Sequence, residues 1–302
     1  MNLAPITLFV YKRPAHTRKT VEALLHNELA NDSDLIIYSD AARSESDVDA
    51  VREVRRYIHQ IVGFKSITII ERDTNLGLAR SIVEGVTKAV TKHGRIIVLE
   101  DDVVTSQHFL TFMNAALERY SSEPRVWHIS GWNYPIDPKG LEDAFFWRAM
   151  NCWGWATWAD RWMLFQKQPK RLIKTWGKDE ILRFNLDGNY DFWSQVTANG
   201  TGLINTWAIF WYATIFEHNG LCLNPARTLA RNIGIDGSGE NCADTDPFTI
   251  TRFSGKVEKF PDHIEESALA MLRIQSLLGK KASLPRKLAI AIKRLFGRNT
   301  VR

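Results

Sequence analysis

Apolar runs rich in β-branched residues alternate with helical periods over the first 130 residues, and this alternation constrains the fold more than any other feature. The runs lack polar alternation, which is typical of strands buried on both faces of a parallel sheet. The sequence therefore predicts an α/β fold, with a mostly parallel sheet covered by helices on both faces. The predicted strands are ITLFVY, LIIYS, SITII, RIIVLE and VWHIS, and the predicted helices are 17–29, 48–62, 78–93 and 107–120.

Polar loops follow four of the predicted strands, at residues 11–14, 39–41, 72–75 and 100–102. Ligands of parallel α/β sheets bind beyond the carboxyl ends of the strands, so these loops are expected to share one rim. Three of the four loops carry carboxylates, and the last is the acidic triplet Glu100, Asp101 and Asp102.

The second half of the chain follows a different pattern. Residues 135–189 are Trp-rich and irregular, with short helices predicted near 159–166 and at 178–185. Residues 191–198 read as a helix, 202–216 as a buried helix or strand, and 226–242 as a strand with a Gly-rich loop. A basic amphipathic helix is predicted at 284–296. Such a helix binds an anionic membrane surface or docks on the body with its cations exposed, and both readings stay open.

Charge and cysteine usage exclude some functions. The net charge is +5, yet eight basic residues and no acid lie from position 280 onward, which leaves 31 basic against 34 acidic residues elsewhere. The body therefore lacks a basic patch for nucleic acid. Three widely spaced cysteines without a CxxC pair favour reduced thiols and a cytoplasmic location. No apolar run reaches the ~18 residues of a membrane span, and the N-terminal apolar run is too short for a signal peptide.

Three adjacent acids after a buried strand need an explanation, because close carboxylates raise each other's pKa unless a cation relieves them. Oxygen ligands without nearby His or Cys favour Mg²⁺ or Mn²⁺, which bind a diphosphate beside one or two carboxylates. The alternative is that Asp102 or Ser106 caps a following helix while the other acids are solvated.

Four motifs carry a family resemblance. IIVLEDDVVTS resembles the Glu-Asp-Asp form of the Asp-x-Asp motif of GT-A fold nucleotide-sugar glycosyltransferases, and RDTNLGLARSIVEGV is similar to the helix start before that motif in family-2-like members. CWGWATWADRW and NYDFWSQV resemble the Gly-Trp loop and the Asp-Trp segment of N-acetylglucosaminyltransferase I-type enzymes. NPARTLARNIG is similar to the Pro/Arg-Thr stretch that follows these segments.

The resemblance implies roles for particular residues, and the metal would be Mn²⁺ or Mg²⁺. Asp102 would contact the metal, Glu100 and Asp101 the ribose and sugar of the donor, and Asp40 the nucleotide. Asn75 lies in the helix-start motif, and Arg13 and Arg80 are candidates for the nucleotide or diphosphate. A surface ion pair is the alternative for either arginine.

The implied reaction moves a sugar from a nucleotide-diphosphate sugar, with a UDP-sugar favoured, to a hydroxyl of a glycan or lipid-linked acceptor. A metal and cations stabilise the departing diphosphate, and a carboxylate takes the acceptor proton. Asp191 is the candidate base of an inverting reaction, although it is also a good helix N-cap, and Phe192 separates it from Trp193. Glu217 is the reserve base.

The acceptor side is less defined by sequence. Trp153, Trp155 and Trp158 are expected either to present ring faces to sugar or to pack in the core. Residues 234–241 form a simple turn or a lid that excludes water from the donor. The expected organisation is a nucleotide-sugar-binding half at 1–134, an acceptor-side half at 135–260 and a helical basic tail at 261–302. The acceptor suggests polysaccharide synthesis, with the protein peripheral on the inner membrane face.

Two other functions remain open. A sugar-nucleotide pyrophosphorylase shares the sheet and metal but needs a Gly-rich loop after the first strand, and VYKRPAHTRKT lacks those glycines. A non-catalytic carbohydrate-binding protein does not require three acids on the nucleotide side. Dehydrogenase and P-loop classes are disfavoured because neither GxGxxG nor GxxxxGK[ST] occurs.

Overall fold

One eight-stranded sheet organises the protein, and its strand order is β3-β2-β1-β4-β8-β6-β9-β7. The structure is a computed structural model that describes residues 3–237, 248, 253 and 255–282, except the side chains of 280–282. The strands are β1 Ile6–Val10, β2 Asp34–Ser39, β3 Ser66–Glu71, β4 Arg95–Glu100, β5 Val103–Thr105, β6 Val126–Ser130, β7 Ala144–Trp147, β8 Trp155–Trp158, β9 Leu221–Pro225 and β10 Ala230–Asn232. The helices are α1 Pro14–Leu25, α2 Val48–Ile58, α3 Leu78–His93, α4 Phe109–Arg119, α5 Ala159–Trp162, α6 Pro169–Thr175, α7 Lys178–Phe184, α8 Trp193–Gly200, α9 Ala208–Glu217 and α10 Ala268–Ala282.

The first half is the predicted parallel sheet. β1 pairs in parallel with β2 on one side and β4 on the other, and β2 pairs in parallel with β3. The chain therefore builds outward from β1 to β3 and then returns to the opposite side of β1. The reversal creates a switch point between the carboxyl ends of β1 and β4, where open α/β sheets bind ligands. The α/β prediction is confirmed.

The second half completes the same sheet with strands that the sequence did not reveal. β8 lies antiparallel between β4 and β6, β9 runs parallel to β6, and β7 forms the antiparallel edge. The expectation of irregular structure over 135–189 was wrong at β7 and β8. Each has only four residues, all buried, so neither shows a strand period. The ambiguous segment 202–216 contains most of a helix, α9.

Two smaller features frame the site. β5 and β10 form an antiparallel pair that brings the chain after Asn232 beside the acidic triplet. α10 docks on the body through Ala270, Met271, Ile274 and Leu278, all buried, and the sequence reading missed it. The predicted helix at 284–296 lies outside the described residues. Among the described helices, none has the length and apolar character needed to span a membrane.

Candidate active site

A cavity of about 480 Å³ opens at the switch point between β1 and β4. Its volume falls within the ~300–1,000 Å³ range of small-molecule sites. The strand-end loops supply one wall and the second half of the chain supplies the other. The lining includes Tyr11, Lys12, Arg13, Asp40, Asn75, Gly77, Glu100, Asp101 and Asp102 on the first wall and Cys152, Trp153, Tyr190, Gln195, Asn205, Thr206, Trp207 and Asn232 on the second.

Arg13 and the acidic triplet meet at the cavity floor. Arg13 Nη2 donates to Asp101 Oδ1 and, at 2.8 Å, to Asp102 Oδ2. Asp101 and Asp102 are each 4% exposed. Asp102 is followed by a strand, β5, and the helix after it, α4, has no side-chain cap from Ser106, so the alternative in which either residue caps a helix is wrong. The sheet topology places the loop after β1 against the end of β4, and the guanidinium bridges the two carboxylates.

Burial and mutual repulsion shift the pKa values of the cluster. Burial, with Asp102 and Asp101 adding repulsion, raises the pKa of Glu100 to about 8. Burial also raises the pKa of Asp101 to about 6, against the opposing charge of Arg13. The Arg13 pKa is raised because its two carboxylate partners outweigh the effect of burial. The site therefore holds excess negative charge that a single guanidinium only partly relieves.

Asp102 offers an atom suited to a cation. Its Oδ1 is buried and has no hydrogen-bond partner within the described part of the chain. Arg13 Nη1 is likewise buried and has no hydrogen-bond partner among the described residues. No group of three or more His, Cys, Asp or Glu side chains among the described residues is arranged to hold a metal by itself. A divalent ion here would need ligands from a bound diphosphate, which is how Mg²⁺ commonly binds.

Asp40 and Asn75 line the cavity but are engaged with the backbone. The Asp40 carboxylate accepts hydrogen bonds from the amides of Leu76 and Gly77, each at 3.0 Å, while the Asn75 side-chain amide donates to Ala41 O at 2.7 Å. Gly77 has a φ of 70°, which orients its amide at the start of α3. These contacts tie the end of β2 to the start of α3 and shape the cavity wall.

Arg80 lies outside this constellation. Its side chain is 66% exposed and pairs with Glu84 one turn along α3, at 2.6 Å. The surface ion pair, which was the alternative for this residue, is therefore what the structure shows. The direction of a side chain on a helix is set by its position in the helical turn, and the position of Arg80 on α3 directs it to solvent.

Asp191 is not among the residues that line the cavity, although it follows the lining residue Tyr190 in sequence. Its Oδ1 accepts a hydrogen bond from Ser194 N at 3.1 Å, so it also caps the first turn of α8. Glu217, the reserve base, is held by Arg171 through contacts of 2.8 and 2.7 Å and by the indole of Trp176. This pairing commits the Glu217 carboxylate to a structural role.

The tryptophans divide between cavity and core. Trp153 lines the cavity and packs edge-to-face on Trp132, with ring centroids 4.7 Å apart. Trp155 and Trp158 are 0% and 5% exposed and belong to the core. Sequence reasoning missed Tyr190 and the cavity residues just before α9. The polar pair Asn205 and Thr206, placed before an apolar helix, is a start signal that marks this segment.

Gly234 lies against the Asp102–Arg13 ion pair. The β5–β10 pairing leads the chain there, and Ile233 N donates to Asp102 O at 2.8 Å. A Cβ on Gly234 would lie 2.2 Å from Asp102 Oδ2 and 2.6 Å from Arg13 Nη1, so glycine permits the close approach. The predicted lid at 234–241 lies outside the described residues from position 238 onward.

Comparison with known proteins agrees with this architecture. Residues 6–130 match the family model of glycosyl transferase family 2, which is less than half of the chain. The resemblance to GT-A nucleotide-sugar glycosyltransferases of the family-2 type is confirmed over this region. The more specific likeness to N-acetylglucosaminyltransferase I-type enzymes stays an expectation. A search of curated proteins gives no match.

Solved structures align with this chain at low sequence identity. S. aureus TarS residues 1–349 aligns at 8% identity over 77% of this chain and 61% of that chain, with a TM-score of 0.43. The mannosyltransferase PcManGT from Pyrobaculum calidifontis, in complex with GDP-Man and Mn²⁺, aligns at 11% identity over 72% of each chain, with a TM-score of 0.35. The chain covers only 20% of the longer S. aureus TarS structure, at 11% identity over 39% of this chain and a TM-score of 0.30.

Proposed function

We propose that this protein is a metal-dependent glycosyltransferase that moves a sugar from a nucleotide-diphosphate sugar to an acceptor hydroxyl. The observation that carries the proposal is the cluster of Glu100, Asp101, Asp102 and Arg13 at the floor of a cavity, inside the region that matches family 2. A buried excess of carboxylates at a strand end gains stability when a cation and a diphosphate bind together.

Asp102 is the proposed ligand of Mn²⁺ or Mg²⁺ through its buried Oδ1. A metal ion bound there supplies positive charge that stabilises the departing diphosphate. Arg13 holds the Asp102 carboxylate from its other side, and its buried Nη1 is the group we assign to a diphosphate oxygen. Glu100 and Asp101 are assigned to the ribose and sugar.

The nucleotide is proposed to lie along the wall formed by Asp40, Asn75 and Gly77. Because backbone amides already occupy the Asp40 carboxylate, its main contribution is to fix the loop before α3. Asn75 fixes the same loop through Ala41 O. Arg80 is left out of the proposed donor site because it points to solvent and pairs with Glu84.

An inverting reaction with Asp191 as general base is proposed for the second wall. The acceptor hydroxyl must approach the sugar from the side opposite the diphosphate, and Asp191 is proposed to reach it because the preceding residue in sequence, Tyr190, lines the second wall. A carboxylate there takes the hydroxyl proton as the new bond forms. Its hydrogen bond from Ser194 N uses one oxygen lone pair and orients the carboxylate.

The acceptor is proposed to be a glycan or glycolipid, and the transferred group a hexose or N-acetylhexosamine, with Trp153 offering an apolar ring face to a sugar. A role in surface polysaccharide synthesis at the cytoplasmic face of a membrane follows from such an acceptor. The basic residues from position 280 onward would supply the membrane contact. Sedimentation of the full chain with anionic and neutral vesicles, before and after charge reversal in 286–298, tests that contact.

The primary test is a panel of UDP-, GDP- and other nucleotide sugars, each with Mn²⁺, Mg²⁺ or chelator. We expect one donor to raise the Tm in a metal-dependent way, because a ligand that binds only the folded state stabilises it. The same donor should be hydrolysed slowly without an acceptor. Absence of any nucleotide or nucleotide-sugar binding would refute the proposal, and sugar binding without nucleotide binding would favour a carbohydrate-binding protein.

The base is tested separately with Asp191→Asn, which keeps the helix cap but cannot accept a proton. We expect a kcat loss of about 10²- to 10⁴-fold, the usual contribution of general base catalysis, with unchanged nucleotide affinity. Asp179→Asn, an exposed acid in the first turn of α7, is the matched control. A kcat for Asp191→Asn within a few-fold of wild type would assign the base elsewhere.

A further inference from the structure

The turn just before Tyr190 and Asp191 has an unusual backbone. Leu186, Asp187 and Gly188 have consecutive φ values of 52°, 55° and 86°. The left-handed region is unfavourable for residues that have a Cβ, less so for Asp than for Leu, so the strain is greatest at Leu186. Leu186 is also fully buried. Such a turn persists only where surrounding groups hold it.

The turn connects α7 and α8, and two side chains from other parts of the fold, Arg148 and Gln275, hold it in place. Arg148 Nη1 donates to Asp187 Oδ1 at 3.2 Å. Gln275 Nε2, on α10, donates to Leu186 O at 3.2 Å and to Asp187 Oδ2 at 3.0 Å. The turn also has local hydrogen bonds, such as Gly188 N to Asn185 O at 3.1 Å, but these two side chains add contacts from 39 and 89 residues away in sequence.

Arg148 is itself anchored by Glu266. The guanidinium is bound in a two-pronged fashion, with Nε to Oε1 at 2.9 Å and Nη2 to Oε2 at 2.6 Å. Arg148 N also donates to Glu266 Oε1 at 3.0 Å, and Glu266 bridges to Phe146 in the edge strand β7. This planar pairing leaves Nη1 directed at Asp187, a geometry that lysine cannot reproduce.

The turn continues directly into the cavity wall. Asn185 accepts a hydrogen bond from Tyr190 N at 3.0 Å through its backbone oxygen and from Trp193 N at 2.9 Å through its side chain. The path from the turn to the start of α8 is therefore short and fixed. A change in the turn moves Tyr190, which lines the cavity, and the adjacent Asp191.

We infer that Arg148, oriented by Glu266 and assisted by Gln275, is a positioning residue that holds the turn at 186–188 and thereby places Tyr190 and Asp191 at the cavity. The catalytic part of this inference rests on the proposed function, in which Asp191 faces the acceptor. The structural part rests only on the contacts. The edge strand and α10 thus contribute to the acceptor side without touching the substrate.

The test compares Arg148→Lys with Arg95→Lys, a matched control. The Arg95 side chain is 18% exposed, close to the 15% of Arg148, and pairs with Glu118 at 2.8 Å, but it lies at the amino end of β4, opposite the end that carries the acidic triplet. We expect Arg148→Lys to lower kcat tenfold or more, toward the ~10²-fold loss that a 1 Å misplacement can cause. The nucleotide Kd should stay within about twofold of wild type, since the donor wall is unchanged. Arg95→Lys should leave kcat near wild type.

Hydrogen–deuterium exchange of the amides at 186–194 supplies a readout independent of turnover. We expect faster exchange there in Arg148→Lys and in Gln275→Ala, which keeps the test valid if the first variant folds poorly, and no change in Arg95→Lys. Unchanged exchange overturns the inference. Faster exchange with wild-type kcat also overturns it, because Arg148 would then hold the turn without any effect on catalysis. A wild-type protein inactive with every donor would reject the proposed function, while the exchange data would still decide whether Arg148 holds the turn.

Discussion

Replacing Asp102 by Asn separates the catalytic role of this carboxylate from its structural one. Asn has the same size, and its amide oxygen can still accept from Arg13 Nη2, which now lies 2.8 Å from Asp102 Oδ2. The change therefore keeps the hydrogen bond from Arg13 but puts an uncharged NH₂ group at the position of the unpartnered Oδ1. It also removes one of three carboxyl groups that share a single guanidinium.

The expected loss is in turnover rather than in folding. Removing one group that stabilises developing charge typically costs about 10²- to 10³-fold in kcat, or ~2.7–4 kcal/mol. Repulsion from Asp102 is, after burial, the next cause of the raised Glu100 pKa, so its removal relieves the site. A gain of about 1 kcal/mol would raise the Tm by roughly 2 °C in a chain of this size. We expect the unliganded variant to melt at or slightly above the wild-type temperature.

Two measurements check this prediction. Calorimetric titration with UDP or GDP, with and without Mn²⁺, should show that the metal no longer strengthens nucleotide binding in Asp102→Asn. Turnover of the donor found by the panel should fall as stated. Asp49→Asn is the control, because the Asp49 side chain is 93% exposed and pairs only on the surface of α2 with Arg52. Wild-type turnover, or a metal dependence that survives in Asp102→Asn, would refute the reasoning.

Three further perturbations follow from buried contacts. Asp40→Asn should lower stability by about 2 kcal/mol and weaken nucleotide binding, because an amide group would face the Leu76 and Gly77 amides; urea unfolding and nucleotide titration measure both. Gly234→Ala should disturb the Asp102–Arg13 pair and cost about 1–3 kcal/mol, whereas Gly177→Ala, whose Cβ would meet Glu180 Oε2 at 3.6 Å, should be tolerated. His128 is fully buried, and burial lowers its pKa from 6.5 to about 3. Between those pH values the unfolded state binds more protons, so stability is complete above pH 6.5 and falls as the pH drops. Wild type should lose about 2–3 kcal/mol at pH 4.5 from this group, and His128→Gln should lose correspondingly less.

Each of these three has a contradicting result. Unchanged stability of Asp40→Asn would mean that its backbone contacts contribute little. A Gly234→Ala protein with wild-type Tm and Mn²⁺-dependent nucleotide affinity would show that the Asp102 side has room to adjust. Equal pH dependence of unfolding in wild type and His128→Gln would remove His128 as the source of acid sensitivity.

The positions of the first-half elements follow from local sequence rules. Unbroken apolar runs predicted β1, β4 and β6 with nearly the observed bounds, and helical periodicity placed α3 at its observed residues. The expectation that the loops after β1, β2 and β4 share a rim also held, because carboxyl ends of parallel strands meet at one edge. Where the chain instead uses four-residue strands, as in β7 and β8, no period exists to read.

The chemistry of individual side chains depended on partners distant in sequence, and these only the tertiary structure decided. Arg13 and Arg80 are the same residue type near strand and helix starts, yet Arg13 bridges buried acids 88 and 89 residues away and Arg80 pairs on the surface. Glu217 is a plausible base from its sequence position, but in the structure Arg171 donates to both of its carboxylate oxygens. The sequence by itself determined which acids follow β4. Burial, the switch between β1 and β4, and the approach of the chain at Gly234 decided that Asp102 Oδ1 is buried without a hydrogen-bond partner among the described residues. The physical reason is that strand and helix formation depend on neighbours along the chain, whereas charge, desolvation and access depend on neighbours in space.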